Sequence, residues 1–131
     1  MIIVRGFPPI YEEAAKRFNI RGRKVVFAWG DKIYDPFDAN IGPDLEVHEA
    51  VHGEQQKAIG GPEIWWHKYF IDANFRLEQE IQAYRAQYKF FCKQYRDRNQ
   101  QTQFLSRIAG DLSTMYDLPI TRAEAMHRIK L

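Results

Sequence analysis

The chain of 131 residues holds one cysteine, Cys92. An internal disulfide is therefore excluded, and a reducing compartment is the expected setting. Long apolar runs are missing as well. The longest, Val25-Val26-Phe27-Ala28-Trp29, is far shorter than a membrane span. The opening Met1-Ile2-Ile3-Val4-Arg5-Gly6 lacks the basic and long apolar regions of a signal peptide. We therefore expect a soluble, cytoplasmic chain with no membrane partner. An excess of one charge is also absent: the formal net charge is +2, too small for a general nucleic-acid binder. No repeat, linker or low-complexity tract divides the sequence, so residues 1–131 read as a single domain.

What is present is ordinary globular material, 45% hydrophobic and 27% charged. A core is feasible with little to spare, so any site must be assembled from the elements that make the fold. Ile10, Ala14 and Phe18 recur every four residues and predict a short helix. Lys24 to Trp29 and Lys32 to Tyr34 predict two strands turning at Gly30-Asp31, with Pro36 ending the second. Pro43-Asp44 opens a helix that runs to about Ile59 and stops at Gly60-Gly61-Pro62. Glu63 to Ile71 suggests a short helix. Asp72 or Asn74 is placed to cap the next one, whose stripe is Leu77, Ile81, Tyr84, Tyr88, Phe91 and Tyr95 and which should end between Asp97 and Gln101. Thr102 to Tyr116 reads as a further helix, and Thr121-Arg122-Ala123-Glu124 as a capping box before a last one. The expected class is α+β and mainly helical, with a short N-terminal β-hairpin or sheet packed on a helix pair and further helices at the C-terminus.

His48-Glu49-Ala50-Val51-His52 lies inside the helix opened by Pro43. The two histidines are four residues apart, so both imidazoles share one face and can reach a single zinc ion. Glu49 stands beside His48, where a carboxylate can take a proton from a zinc-bound water as it attacks a carbonyl. A hydrolytic zinc site also needs a third protein ligand. The extended HExxHxxGxxH pattern fails, because Gln55 and Ala58 occupy the glycine and histidine positions. Glu80 flanks the apolar stripe at the edge of the core, within Glu80-Ile81-Gln82-Ala83, which matches the ExxA pattern of glutamate-ligand zincins. Glu78 and His67 are the alternatives.

Val47-His48-Glu49-Ala50-Val51-His52, Gln55-Gln56, Trp65-Trp66 and the segment from Phe75 to Tyr84 resemble the small zinc metallopeptidases of bacteriophage and prophage genomes, and more broadly a minimal gluzincin. The resemblance spans about Lys24 to Phe91. It implies a short sheet before the HExxH helix and a glutamate helix packed against it. It also implies one zinc ion held by His48, His52 and Glu80, Glu49 as general base, a peptide or protein substrate, and a bacterial host cell as location. The pattern departs at Tyr84, where many gluzincins carry an aspartate or asparagine that orients a ligand histidine.

Peptide hydrolysis also needs a stabiliser for the oxyanion. Tyr34, His67, Tyr69 and Tyr84 are the candidates, and no spacing selects among them. The strand at Lys32 to Tyr34 could offer an edge to an extended peptide. Trp65 and Trp66 could line a pocket, and Gln55 and Gln56 could bridge polar groups near the metal. A competing reading takes the basic residues between Ile81 and Arg107 (Arg85, Lys89, Lys93, Arg96, Arg98 and Arg107, against Asp97 alone) as a helix that binds nucleic acid or an acidic partner. Those residues lie off the apolar stripe of an amphipathic helix, so nucleic acid is not the expected partner. A third reading is a zincin-like fold without catalysis. The sequence therefore points to a zinc-dependent metallohydrolase, expected to be a peptidase.

Overall fold

Three short strands and six helices follow one another along the chain. They are β1 (Ile2–Val4), α1 (Tyr11–Arg17), β2 (Phe27–Trp29), β3 (Lys32–Tyr34), α2 (Pro43–Ile59), α3 (Pro62–Ile71), α4 (Ala73–Gln94), α5 (Arg98–Met115) and α6 (Arg122–Lys130). The computed structural model describes residues 1–131. The architecture is α+β and mainly helical, with the small sheet at the N-terminus, as the periodicity predicts.

The sheet is not a plain hairpin. Its order is β1-β3-β2, with β1 parallel to β3 and β2 antiparallel to it. The register sets Ile3 and Ala28 on either side of Ile33, which is fully buried. The expectation of a peptide-binding edge at Lys32 to Tyr34 is thereby overturned, because β3 has a partner on both sides. β2 is an edge strand, but side chains occupy its outer rim. Gln56 Nε2 and Trp66 Nε1 donate to the Ala28 carbonyl at 2.9 and 3.0 Å, and the Gly30 amide donates to Gln56 Oε1 at 2.6 Å. Gln56 and Trp66 thus dock α2 and α3 onto the sheet.

Helix α2 forms where the sequence predicts it. Pro43 occupies its first turn beside Asp44 and Glu46, which favour the positive end of the helix dipole. Gly60 ends it in the left-handed region, at φ 114°. At Gly53 the helix runs so close to the β2–β3 turn that an added Cβ would stand 2.5 Å from the Gly30 carbonyl oxygen. Only glycine lets these backbones approach this closely.

The later helix boundaries differ from expectation. α4 stops at Gln94, and Asp97 caps α5 instead of closing α4: its Oδ2 accepts the Gln100 amide at 3.2 Å. Asp72 caps α4 in the same way, and the Thr121–Glu124 capping box opens α6. The basic segment 81–107 is therefore two helices with a break between them, not one. Its cations also serve different ends. Arg85 Nε donates to the Arg128 carbonyl at 2.7 Å and Arg107 lies over the Phe104 ring, while Lys89, Lys93, Arg96 and Arg98 are exposed.

Two apolar clusters hold the molecule together. One joins α4, α5 and α6 through residues such as Ile81, Leu105, Ile108, Leu112 and Ile129. The other joins α1, β2 and α3 through Tyr11, Phe27, Trp65, Trp66, Tyr69 and Phe70. α2 contributes no buried apolar side chain to either; its buried residues are His48, Glu49, His52 and Gln56. No helix is long and apolar enough to cross a membrane.

Candidate metal centre

The spacing of His48 and His52 places both rings on the buried face of α2, with centroids 4.9 Å apart. Helix α4 crosses that face and brings Glu80 to them. One oxygen, Glu80 Oε1, lies 3.1 Å from His48 Nε2 and 3.1 Å from His52 Nε2. All three residues are buried. The other carboxylate oxygen, Oε2, accepts the Tyr69 hydroxyl at 2.6 Å, which fixes how the carboxylate is turned.

The outer nitrogens decide the protonation of the rings. His48 Nδ1 faces Gln87 Oε1 at 2.9 Å, and the Gln87 amide nitrogen donates to Asp44 Oδ2 at 2.9 Å. His52 Nδ1 faces Gln55 Oε1 at 2.8 Å, and the Gln55 nitrogen donates to the Gln79 carbonyl at 3.1 Å. Each amide nitrogen is spent on an acceptor, so each amide must present its oxygen to the ring. An amide oxygen only accepts, so both Nδ1 atoms carry hydrogen. Both Nε2 atoms then point at a carboxylate oxygen, and three acceptor sites converge on one place. Positive charge has to sit there, as protons or as a cation. Without a metal it is a proton. Burial pulls the His52 pKa down, but the charge and hydrogen bond of Glu80, helped by Glu49 and Gln55, outweigh it and push it up to about 9. Burial pushes Glu80 the other way, and the two histidines overcome it and hold its carboxyl well below the usual range.

The same donors fit a metal ion. Two imidazole nitrogens and one carboxylate oxygen are a common set for a transition-metal ion. Ligand atoms ~2.0–2.1 Å from a tetrahedral ion stand ~3.3 Å from one another, close to the spacing here. The ligand atoms of His48, Glu49 and His52 also lie within 4.8 Å of one another. Glu49 has a different character from Glu80. Its Oε2 is the one buried side-chain polar atom without a hydrogen-bond partner. Burial raises its pKa, against the lowering effect of the two histidines. This buried His48–Glu49–His52 group could hold a metal ion.

The site stands between two cavities. The inner one, of about 80 Å³, is lined by His48, His52, Glu80 and Tyr69 on one side and by apolar groups such as Ala14, Phe18 and Trp66 on the other. The outer one is a cleft of about 440 Å³ reaching Lys24, Asn40 and Arg107. Val25, Val26, His48, Glu49, Met115 and Tyr116 line both, and so form the neck between them. A larger groove of about 710 Å³ follows the other side of α2 past Ala50, Glu54 and Lys57, and no histidine lines it. Volume alone does not mark the chemistry here.

The other sequence candidates are dispersed. Glu78 is exposed and paired with Arg128 at 2.6 Å, so it is not a competitor for Glu80. His67 lies on the exposed side of α3, opposite Trp65, Trp66 and Tyr69, and His127 is exposed on α6. Tyr34 packs with the α1–β2–α3 cluster and lines neither cavity. Trp65 is fully buried behind the site, its ring 5.0 Å from that of His52 and its Nε1 bound to Gln79 Oε1 at 2.8 Å. The Tyr69 hydroxyl is committed to Glu80. Tyr84 does reach the site: its ring packs edge-on against His48 at 4.4 Å and lines the outer cleft.

Two residues at the site escape the sequence reading. Gln87, not Tyr84, holds the His48 ring. It stands seven residues after Glu80, two helical turns along the same face, so helical spacing could have found it. Tyr116 at the neck follows α5 and carries no local signal. No family model matches the chain, and neither does any curated protein or solved structure.

Proposed function

We propose that the chain is a zinc-dependent hydrolase acting on amide bonds, a peptidase in the first instance. The observation that carries this reading is the pairing of a convergent His48–His52–Glu80 donor set with a buried, unpartnered carboxylate oxygen on Glu49. A purely structural site would need no such acceptor beside it, and leaving one buried is costly. His48, His52 and Glu80 would hold the ion. Bound there, zinc would supply a Lewis acid for a carbonyl and lower the pKa of water toward ~7.

The remaining work falls to the chain's own groups. Glu49 takes a proton from the water whose oxygen bonds to the amide carbon, and delivers it to the leaving nitrogen as the C–N bond breaks. Acid and amine are the products. Burial raises the Glu49 pKa above the ordinary carboxylate value, a direction that suits a group that must both accept and return a proton. Gln87 and Gln55 keep the ring Nε2 atoms directed inward, and Tyr69 holds Glu80 in place. The apolar wall of the inner cavity keeps bulk water from the reacting groups.

The test is the metal content of the purified protein beside His52→Ala and Glu80→Ala. About one zinc per chain is expected in the wild type, with stoichiometric binding lost in both variants. A wild-type protein that binds no zinc under saturating conditions overturns the reading. Zinc retained with no cleavage of a quenched-peptide mixture leaves a metal site without catalysis.

A further inference from the structure

Hydrolysis at this site leaves one requirement without a group: a donor for the oxygen on which negative charge develops. The hydrogen-bond inventory at the neck supplies one. The Tyr84 and Tyr116 hydroxyls lie 2.7 Å apart and bond to each other, with no further partner for either. Each hydroxyl has one proton, and one bond uses one proton. The pair therefore keeps one proton unspent, on a cleft wall that Glu49 also lines.

Placement says which tyrosine keeps it. Tyr84 lies against His48 and lines the outer cleft alone, whereas Tyr116 lines both cavities with His48 and Glu49. The backbone behind Tyr116 is also fixed. Arg76 is buried and has no carboxylate partner. Its Nε donates to the Tyr116 carbonyl at 2.9 Å and its Nη2 to the Asp117 carbonyl at 3.1 Å, while Nη1 donates to the Tyr69 carbonyl at 2.7 Å. Asp117 holds a positive φ of 52° in the turn that follows. A side chain anchored in this way can act without rearranging, as electrostatic stabilisation requires.

We infer that Tyr116 is a catalytic residue, donating its hydroxyl proton in a hydrogen bond to the substrate oxygen that becomes anionic, and that Tyr84 orients it by donating to the Tyr116 oxygen. This rests on the hydrolase reading. Tyr116 keeps its proton throughout; only the hydrogen bond strengthens as charge grows. A donor that is itself accepting a hydrogen bond is the stronger for it.

The experiment compares zinc-loaded wild type, Tyr116→Phe and Tyr84→Phe. Three readouts are taken on each: zinc stoichiometry, affinity for a phosphinic dipeptide by calorimetry, and kcat and KM on quenched peptides. The phosphinate presents the tetrahedral anion without turnover. For Tyr116→Phe we expect unchanged zinc, phosphinate binding weaker by about 10- to 100-fold, kcat lower by about 10²–10³-fold and KM within a few-fold. Tyr84→Phe should lose about tenfold in kcat. If Tyr116→Phe matches wild type in a protein that binds phosphinate and cleaves peptide, the assignment fails while the hydrolase reading stands. If Tyr84→Phe takes the larger loss, the donor is Tyr84. If wild type neither binds phosphinate nor cleaves, both inferences fall together.

Discussion

Helices α2 and α5 are of similar length and bury opposite chemistry. The buried residues of α2 are His48, Glu49, His52 and Gln56; those of α5 are Phe104, Leu105, Ile108, Ala109, Gly110 and Leu112. Burial on α5 stabilises, by about 1.5–3 kcal/mol for each large apolar side chain. Burial on α2 costs free energy unless every polar atom finds a partner. Nearly all of them do: Gln56 on β2, His48 on Gln87 and Glu80, His52 on Gln55 and Glu80. The exception is Glu49 Oε2. α5 explains why the chain folds, and α2 carries an arrangement that folding alone does not call for.

The largest expected effect tests that exception. Glu49→Gln should lower hydrolysis by about 10²–10⁴-fold while zinc stays bound. It should leave the melting temperature unchanged or raise it, because a neutral amide of the same shape replaces a buried carboxyl without a partner. Peptide-cleavage rates and calorimetric melting check both halves, and activity surviving in the variant removes Glu49 from the chemistry. The converse holds on α5. Leu112 is fully buried, and Leu112→Ala should cost about 2–5 kcal/mol in denaturant unfolding. The molecules that remain folded should still carry one zinc each. Loss of zinc from folded Leu112→Ala protein would show that the two helices are not separable in this way.

This division of labour governs what the sequence could tell. The ends of α2 were legible because Pro43, Gly60 and Gly61 act through local backbone geometry. His48, His52 and Glu80 were legible because helical spacing turns residue numbers into a shared face. Tyr34 and His67 were misplaced because residue type gives no direction: one packs into a cluster and the other faces outward. β1 has three residues, too few to show a period, and so the central position of β3 was hidden. Asp97 looked like the end of one helix and caps the next, since acidic residues suit the start and not the finish. Tyr116 depends on how a turn after α5 folds back over α4, which no local pattern encodes.

The pH dependence separates the same two contributions. In metal-free protein the His52 pKa rises from 6.5 to about 9 on folding, so its stabilisation is full below pH 6.5 and is lost as pH climbs through 9. Glu80 moves down from 4.5, so its share is present above pH 4.5 and is lost as pH falls below that value. Glu49 moves up from 4.5, which also favours the folded state at lower pH. Stability without metal should therefore peak between about pH 4.5 and 6.5 and fall toward pH 9, by on the order of 3 kcal/mol at most for His52. Zinc requires His52 unprotonated, so the stabilisation it adds should grow over that range. Melting curves with a chelator and with zinc should diverge as pH rises; parallel curves would remove the metal from His52.

The smallest effect concerns the support of the rings. Gln87 is buried and bridges α4 to both the site and the start of α2, taking the Nδ1 hydrogen of His48 and donating to Asp44. Gln87→Leu keeps the bulk and removes both bonds, which frees the imidazole to turn or to move its hydrogen to Nε2, where it blocks coordination. Zinc affinity, measured by competition with a chromophoric chelator, should fall about 10- to 100-fold, the usual result of losing a group that orients a ligand. Gln82→Leu is the matched control: Gln82 is exposed on the same helix and touches Gln55 without touching a histidine, so zinc affinity should change little. Equal losses in the two variants would mean that α4 matters for its packing. A loss confined to Gln87→Leu would mean that the polar face of α2 is arranged around the direction of one nitrogen lone pair, a constraint with no counterpart on α5.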